Sequence, residues 1–110
     1  MFEDRERGYE AKWAHDEETL FRIMARRNMR LGEWAASQLK LPDARIDDYV
    51  EALGELGVAG KGPDPVLEKV RVDFLAARLD IADDAIAAKA KALREEAEGH
   101  FGAQPKAALG

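Results

Sequence analysis

Apolar residues recur at spacings of three and four through most of the chain, which is the period of an amphipathic α-helix. Four segments carry this pattern, and we predict helices over residues 17–40, 43–58, 65–79 and 83–98. The side chains expected to be buried together are Leu20, Trp34, Val50, Leu53, Val70, Phe74, Ile86 and Leu93. Four helices with short connections predict an all-α fold, a small antiparallel four-helix bundle.

Prolines and acidic residues mark the predicted boundaries of these helices. Pro42 ends the first helix, because proline disfavours a helical residue before it. Asp43 is the expected N-terminal cap of the second helix. Pro65 suits the first turn of the third helix, with Asp64 as the cap.

The two ends of the chain differ in composition from the helical middle. Residues 1–16, called the arm below, are highly charged, and from Gly99 onward Gly, Pro, Gln and Ala dominate, as is typical of a frayed tail. We therefore divide the chain into an N-terminal arm (1–16), a four-helix bundle (17–98) and a flexible C-terminal tail (99–110).

The arm combines aromatic side chains with many charges. Phe2, Tyr9 and Trp13 are spaced by seven and four residues, so they line one side of a helix. A helix this short is marginal in water, and Gly8 lowers its stability by roughly 1 kcal/mol relative to Ala. One interpretation is that the arm extends the first bundle helix. The other is a mobile arm that becomes helical on a partner, since exposed aromatic residues often mark a docking surface.

Composition excludes several classes of protein. The 110 residues include no cysteine and two histidines, so we expect no disulfide and no metal site. One Ser and one Thr leave no nucleophile–base pair, and we predict that the chain is not an enzyme. A net charge of −5 disfavours nucleic acid as a partner. Without a signal sequence or an apolar run of ~18–20 residues, a cytoplasmic monomer that does not insert into a membrane is expected.

The arm and the first helix carry a dense motif. It reads Phe2-x-Asp4-Arg5-Glu6-Arg7-x-x-Glu10-x-Lys12-Trp13-Ala14-His15-Asp16-Glu17-Glu18, then Ala25-Arg26-Arg27-Asn28 and Leu31-Gly32-x-Trp34-Ala35-Ala36. This pattern resembles the zeta subunit family of alphaproteobacterial F-type ATP synthases, the ATPase inhibitor subunit zeta. The resemblance is dense over residues 2–36 and looser to about residue 98.

The resemblance implies a four-helix bundle whose arm inhibits ATP hydrolysis by the catalytic head of the synthase, formed by the alpha, beta and gamma subunits. The arm would fold as a helix into the catalytic interface and block rotation, at the cytoplasmic face of the inner membrane. The arm residues expected to bind the partner are Phe2, Asp4, Arg5, Glu6, Arg7, Tyr9, Glu10, Lys12 and Trp13. The alternative is a free-standing ADP/ATP-sensing helical bundle that does not contact the ATPase.

The resemblance also implies ADP or ATP as a possible regulatory ligand, although no cofactor is required. Arg26, Arg27 and Arg30 are the expected phosphate contacts, with Trp34 one turn beyond Arg30 as a ring that could stack on a base. The alternative places Trp34 in the core and pairs the arginines with acidic residues of other helices.

Overall fold

The three-to-four spacing of apolar residues produces four α-helices, as the sequence predicts. The computed structural model describes residues 17–109, with side chains as far as residue 101. The helices are α1 (Glu17–Gln38), α2 (Asp43–Ala59), α3 (Pro65–Ala76) and α4 (Asp83–Leu109). Residues 17–109 contain no β-strand, and the predicted all-α bundle of four helices is confirmed.

Helix α1 is the central element of the bundle. It packs along both α2 and α4, whereas α3 closes the bundle mainly through α2 and α4. Apolar side chains from all four helices meet in one core cluster. Its buried members are Leu31, Ala35, Leu53, Val66, Val70, Phe74, Ile86 and Ala90. Trp34 packs against this cluster, with its ring centroid 5.4 Å from that of Phe74.

The predicted core is confirmed at most positions and wrong at two. Trp34 and Leu93 are half-buried against the core cluster. The expected positions that are fully buried are Leu53, Val70, Phe74 and Ile86. Leu20 and Val50 are only partly buried and are not packed on this cluster. Leu20 lies in the first turn of α1, at the end of the bundle, and Val50 lines a surface groove.

Helices α1 and α3 end earlier than predicted because a left-handed residue closes each of them. Lys40 has a φ of 57° and Arg78 a φ of 59°. The amide of the next residue, Leu41 or Leu79, then donates to the carbonyl five residues earlier, at 3.1 Å and 3.0 Å. This is the Schellman arrangement, in which an apolar residue follows the left-handed one. A non-glycine residue adopts this conformation at a cost of roughly 1 kcal/mol.

The starts of α2 and α3 differ in how they are capped. Asp64 accepts a hydrogen bond from the amide of Leu67 at 3.2 Å, and Pro65 occupies the first turn, so the predicted cap of α3 is confirmed. The prediction that Asp43 caps α2 is wrong. Asp43 is the first helical residue, and Pro42 stands in the cap position without a side-chain hydrogen bond.

Helix α4 is longer than predicted. Its backbone remains helical to Leu109, although the pattern indicated an end near residue 98. Gly99 and Pro105 favour an end of the helix, but Ala, Gln and Lys are good helix formers and supply most of the remaining residues. The flexibility of residues 99–110 stays a prediction.

Phe74 is 1% exposed at the centre of the core cluster, so its removal tests the packing directly. We expect Phe74→Ala to lower the free energy of unfolding by about 3–5 kcal/mol in urea titrations, because a cavity replaces the ring. Leu75→Ala is the matched control, since the side chain of Leu75 is 79% exposed; its effect should stay within about 0.5 kcal/mol. A loss below about 1 kcal/mol for Phe74→Ala would mean that the assigned phase of α3 is wrong.

Candidate functional site

The structure describes the helix that follows the arm, not the arm itself. The predicted partner-binding residues of the arm all lie outside the described residues: Phe2, Asp4, Arg5, Glu6, Arg7, Tyr9, Glu10, Lys12 and Trp13. Their roles therefore stay predictions. Helix α1 begins at Glu17, directly after the arm, and carries the three candidate arginines in its middle third.

Arg27 is buried, and its guanidinium is hydrogen-bonded to Asp64 and Asn28. Its side chain is 5% exposed, and two guanidinium nitrogens donate to the two carboxylate oxygens of Asp64 at 2.8 Å and 2.9 Å. Two nitrogens also donate to Oδ1 of Asn28, at 2.7 Å and 3.0 Å. A buried charge is unfavourable unless it is paired and hydrogen-bonded, and Arg27 meets both conditions.

Asp64 serves two elements at once. Its carboxylate caps the first turn of α3 and also neutralises Arg27 of α1. Burial alone would raise the pKa of Asp64. The hydrogen bonds and charge of Arg27, with the amide of Leu67, outweigh burial and hold this pKa below its ordinary value. Asp64 is therefore ionised through the physiological pH range.

Arg26 connects α1 to α4. Its Nε and Nη2 donate to the two carboxylate oxygens of Glu96 at 3.1 Å and 2.9 Å, a bidentate pair. Hydrogen bonding to Glu96 raises the pKa of Arg26, and the same bonds lower the pKa of Glu96. Nearly half of the Glu96 side chain remains exposed, so the pair lies at the surface and sets register more than stability.

Arg30 is the most exposed of the three arginines. Its side chain is 44% exposed and approaches Glu33 of the same helix at 3.4 Å. Arg30 follows Arg26 by four residues, so the two arginines share one face of α1. Arg26 on this face is paired with Glu96 of α4, whereas Arg27 is paired with Asp64 at the start of α3. Nucleotide binding by these three residues stays a prediction.

Trp34 contributes to the core, as the alternative interpretation of the sequence held. Its indole ring packs on Phe74 with an interplanar angle of 54°. Nζ of Lys89, on α4, lies 5.9 Å from the indole centroid, within reach of a cation–π interaction. Pairing of arginines with acidic residues of other elements is likewise observed for Arg26 and Arg27.

Sequence reasoning missed a groove between α1 and α2. It has a volume of about 400 Å³, and its walls include Phe21, Met24, Met29, Asn28 and Val58. The position of Asn28 in the sequence could have indicated this site. It falls four residues after Met24 and three before Leu31, in the apolar stripe of α1, where a polar residue indicates a buried polar contact.

The described residues contain neither a group of side chains that could hold a metal ion nor a helix that could span a membrane. Among the described side chains, no three His, Asp or Glu residues are grouped so that they could hold a metal ion. Across residues 17–109, no helix has the length and apolar composition that crossing a membrane requires.

The sequence model of the ATPase inhibitor subunit zeta family matches residues 1–100, which include the arm and nearly all of the described bundle. The chain belongs to this family. No curated protein and no solved structure matches it. The family name indicates an inhibitory subunit of an ATPase, which is a regulatory protein and not a catalyst, and it implies association with ATP synthase. The match thus confirms the resemblance to the zeta subunit family that the motif of the arm and α1 indicated.

The Arg27–Asp64 pair should make stability depend on pH. Asp64→Asn keeps a capping oxygen but removes the charge opposite buried Arg27. We expect the free energy of unfolding to fall by about 2–3 kcal/mol at pH 7, less than for a fully buried pair because the side chain of Asp64 is 31% exposed. The folded pKa of Asp64 lies below the unfolded value of about 3.9, so its contribution is present above that pH and is lost as the pH falls through the folded value.

Urea titrations between pH 2 and pH 7 measure this difference. The gap between wild type and Asp64→Asn should narrow below about pH 4. Asp84→Asn is the control, because Asp84 is exposed and forms no ion pair with the described residues. A gap that stays constant down to pH 2 would contradict the assignment of the charge effect to Asp64.

Proposed function

We propose that the chain inhibits ATP hydrolysis by the F-type ATP synthase through its arm. In this proposal the arm folds as a helix into the interface of the alpha, beta and gamma subunits and blocks rotation of the catalytic head. The inhibitor would act in the cytoplasm, at the cytoplasmic face of the inner membrane. The observation that supports it most is the family match, which includes residues 1–16 and therefore the whole aromatic and charged pattern of the arm.

The composition of the arm supports a docking role. In a helical arm the spacing of Phe2, Tyr9 and Trp13 would place three large apolar surfaces on one side, and aromatic side chains of this kind provide most of the energy of many interfaces. The charges between them, such as Arg5 and Arg7, set register and specificity. Ordering the backbone costs about 1–2 kcal/mol per residue, so the bound interface must exceed this cost.

The arrangement of the bundle supports separate roles for the arm, which would inhibit, and for the bundle, which holds the core. Among the described residues, the first buried apolar side chain of α1 is Ile23, which is 1% exposed, and the core cluster follows from Leu31. Residues 17–22 therefore separate the arm from the buried part of α1 along the chain. Changes in the arm are expected to affect inhibition without loosening the core.

The second candidate is a free-standing bundle that senses ADP or ATP. The exposed guanidinium of Arg30, beside Arg26, is the feature of the described residues that favours it. Deleting residues 2–15 separates the two functions. Loss of inhibition with retained nucleotide binding supports the inhibitor, whereas nucleotide binding by a full-length chain that never inhibits the synthase supports the sensor.

Replacing Trp13 with Ala should weaken inhibition and leave the melting temperature of the bundle nearly unchanged. The measurement is ATP turnover by a purified synthase head of the same source, titrated with each variant. Leu75→Ala is the matched control, because it removes an exposed apolar side chain from α3 and should leave inhibition unchanged. Equal inhibition by Trp13→Ala and wild type would remove the arm from the mechanism.

Replacing Gly8 with Ala should strengthen inhibition by up to about tenfold. Alanine raises helix propensity and reduces the freedom of the unbound arm, so less free energy is spent on ordering. Gly99→Ala is the control, since no atom lies within 4 Å of a Cβ placed at this exposed position of α4. Abolished inhibition by Gly8→Ala would instead mean that position 8 lies against partner backbone or in a non-helical kink.

A further inference from the structure

The groove between α1 and α2 is lined without any charged residue. Phe21, Met24 and Met29 contribute from α1, and Val50 and Val58 from α2, around a volume of about 400 Å³. Phe21 is 61% exposed and Val58 is 73% exposed, so the mouth of the groove is apolar as well. The volume is in the range of small-molecule sites, which are mostly apolar with a few oriented polar groups.

Asn28 supplies one oriented polar group in this apolar lining. It is 6% exposed, and its Oδ1 accepts hydrogen bonds from two guanidinium nitrogens of Arg27. A guanidinium has donors only, so the amide oxygen must face Arg27 and the amide nitrogen must face away. The orientation of the Asn28 side chain is thus fixed by its neighbour.

The amide nitrogen of Asn28 has no hydrogen-bond acceptor among the described residues, although it carries two donors. It points toward Gly57, where a Cβ atom would lie only 2.4 Å from Nδ2. Gly57 also lines the groove. Buried donors in proteins nearly always have an acceptor, so a donor left open toward a cavity indicates a missing one.

Small residues keep the groove open beside this donor. Gly54 lies one turn before Val58 on α2, and a Cβ placed on it would meet no atom within 4 Å. No cation lines the groove, and Arg94, whose Nη1 lies 3.7 Å from Sδ of Met24, is already paired with Glu98. An anion such as a phosphate or carboxylate would therefore lose its hydration without gaining an unpaired counter-charge. The chemistry of the lining therefore selects an uncharged ligand.

We propose that this groove binds a neutral, largely apolar small molecule whose carbonyl or ether oxygen accepts a hydrogen bond from Nδ2 of Asn28. The apolar body of the ligand would lie between Phe21, Met24 and Met29 on one side and α2 on the other. The described lining of the groove does not include Arg30, and the proposal does not depend on the proposed inhibition.

Three probes of similar size test the proposal on the full chain: acetophenone, ethylbenzene and benzoate. They differ in carrying a neutral acceptor, no acceptor or a charge. Binding is followed by ¹H–¹⁵N NMR, in which the side-chain amide of Asn28 gives its own pair of resonances. We expect acetophenone to shift these resonances and to bind on the order of tenfold more tightly than ethylbenzene, with benzoate weakest.

Two variants locate the site. Gly54→Leu fills the groove and should reduce acetophenone affinity by at least about tenfold, whereas Gly99→Leu, the same change on α4, should leave it unchanged. Asn28→Asp keeps an acceptor for Arg27 but removes the donors, so acetophenone should lose its advantage over ethylbenzene. Thermal melting of each variant shows whether it is folded. Gly54→Leu keeps the test valid if Asn28→Asp does not fold.

Several outcomes would overturn the proposal. Equal affinities for acetophenone and ethylbenzene would show that the donor of Asn28 does not direct binding. Shifts confined to residues outside the groove, or no binding at millimolar acetophenone, would show that the groove is not a ligand site. If Tyr9→Ala or Trp13→Ala greatly increased acetophenone affinity, the occupant of the groove would be the arm of the chain itself and not a small molecule.

Discussion

The buried guanidinium of Arg27 is the constraint on which much of the structure depends. Its charge has to be neutralised inside the bundle, and Asp64, 37 positions later in the chain, does so while capping α3. The start of α3 is therefore fixed against the middle of α1. Asn28 also accepts hydrogen bonds from Arg27, and a side chain at residue 57 would have to displace the amide of Asn28.

Polar side-chain contacts also join other pairs of helices. Arg26 and Glu96 join α1 to α4, and Arg71 donates to Asp83 at 2.9 Å between α3 and α4. Between α2 and α3, the hydroxyl of Tyr49 donates to Asp73 at 2.7 Å; burial and this bond raise the pKa of Tyr49. Apolar burial supplies most of the stabilising energy, and these contacts fix how the helices align.

The junction between α1 and α2 differs from the others. Of the described residues, those from 20 to 38 in α1 form no ion pair and no side-chain hydrogen bond with α2. Gly32 instead allows close approach, since a Cβ there would lie 3.2–3.4 Å from atoms of Leu53 and Val50. The helices thus meet closely at Gly32, and the groove lies beside Gly54 and Gly57.

The periodicity of apolar residues was sufficient to predict the existence and order of the helices, because each helix has one apolar face. The ends of α1 and α3 could not be predicted, since Lys40 and Arg78 adopt a left-handed conformation that neither residue type favours. The partners of Arg26 and Arg27 depend on which helices become neighbours, and periodicity does not specify this. The role proposed for the arm rests on its sequence pattern, because residues 1–16 lie outside the described residues.

The position of Trp34 has a consequence for optical measurements. Its indole lies against Phe74 in the core, near the ammonium group of Lys89, so its fluorescence changes when the bundle unfolds. The other tryptophan of the chain is Trp13, in the arm. Each indole is therefore a native chromophore for one part of the protein. With the other tryptophan replaced by Phe, emission from either part can be recorded in real time without an attached dye.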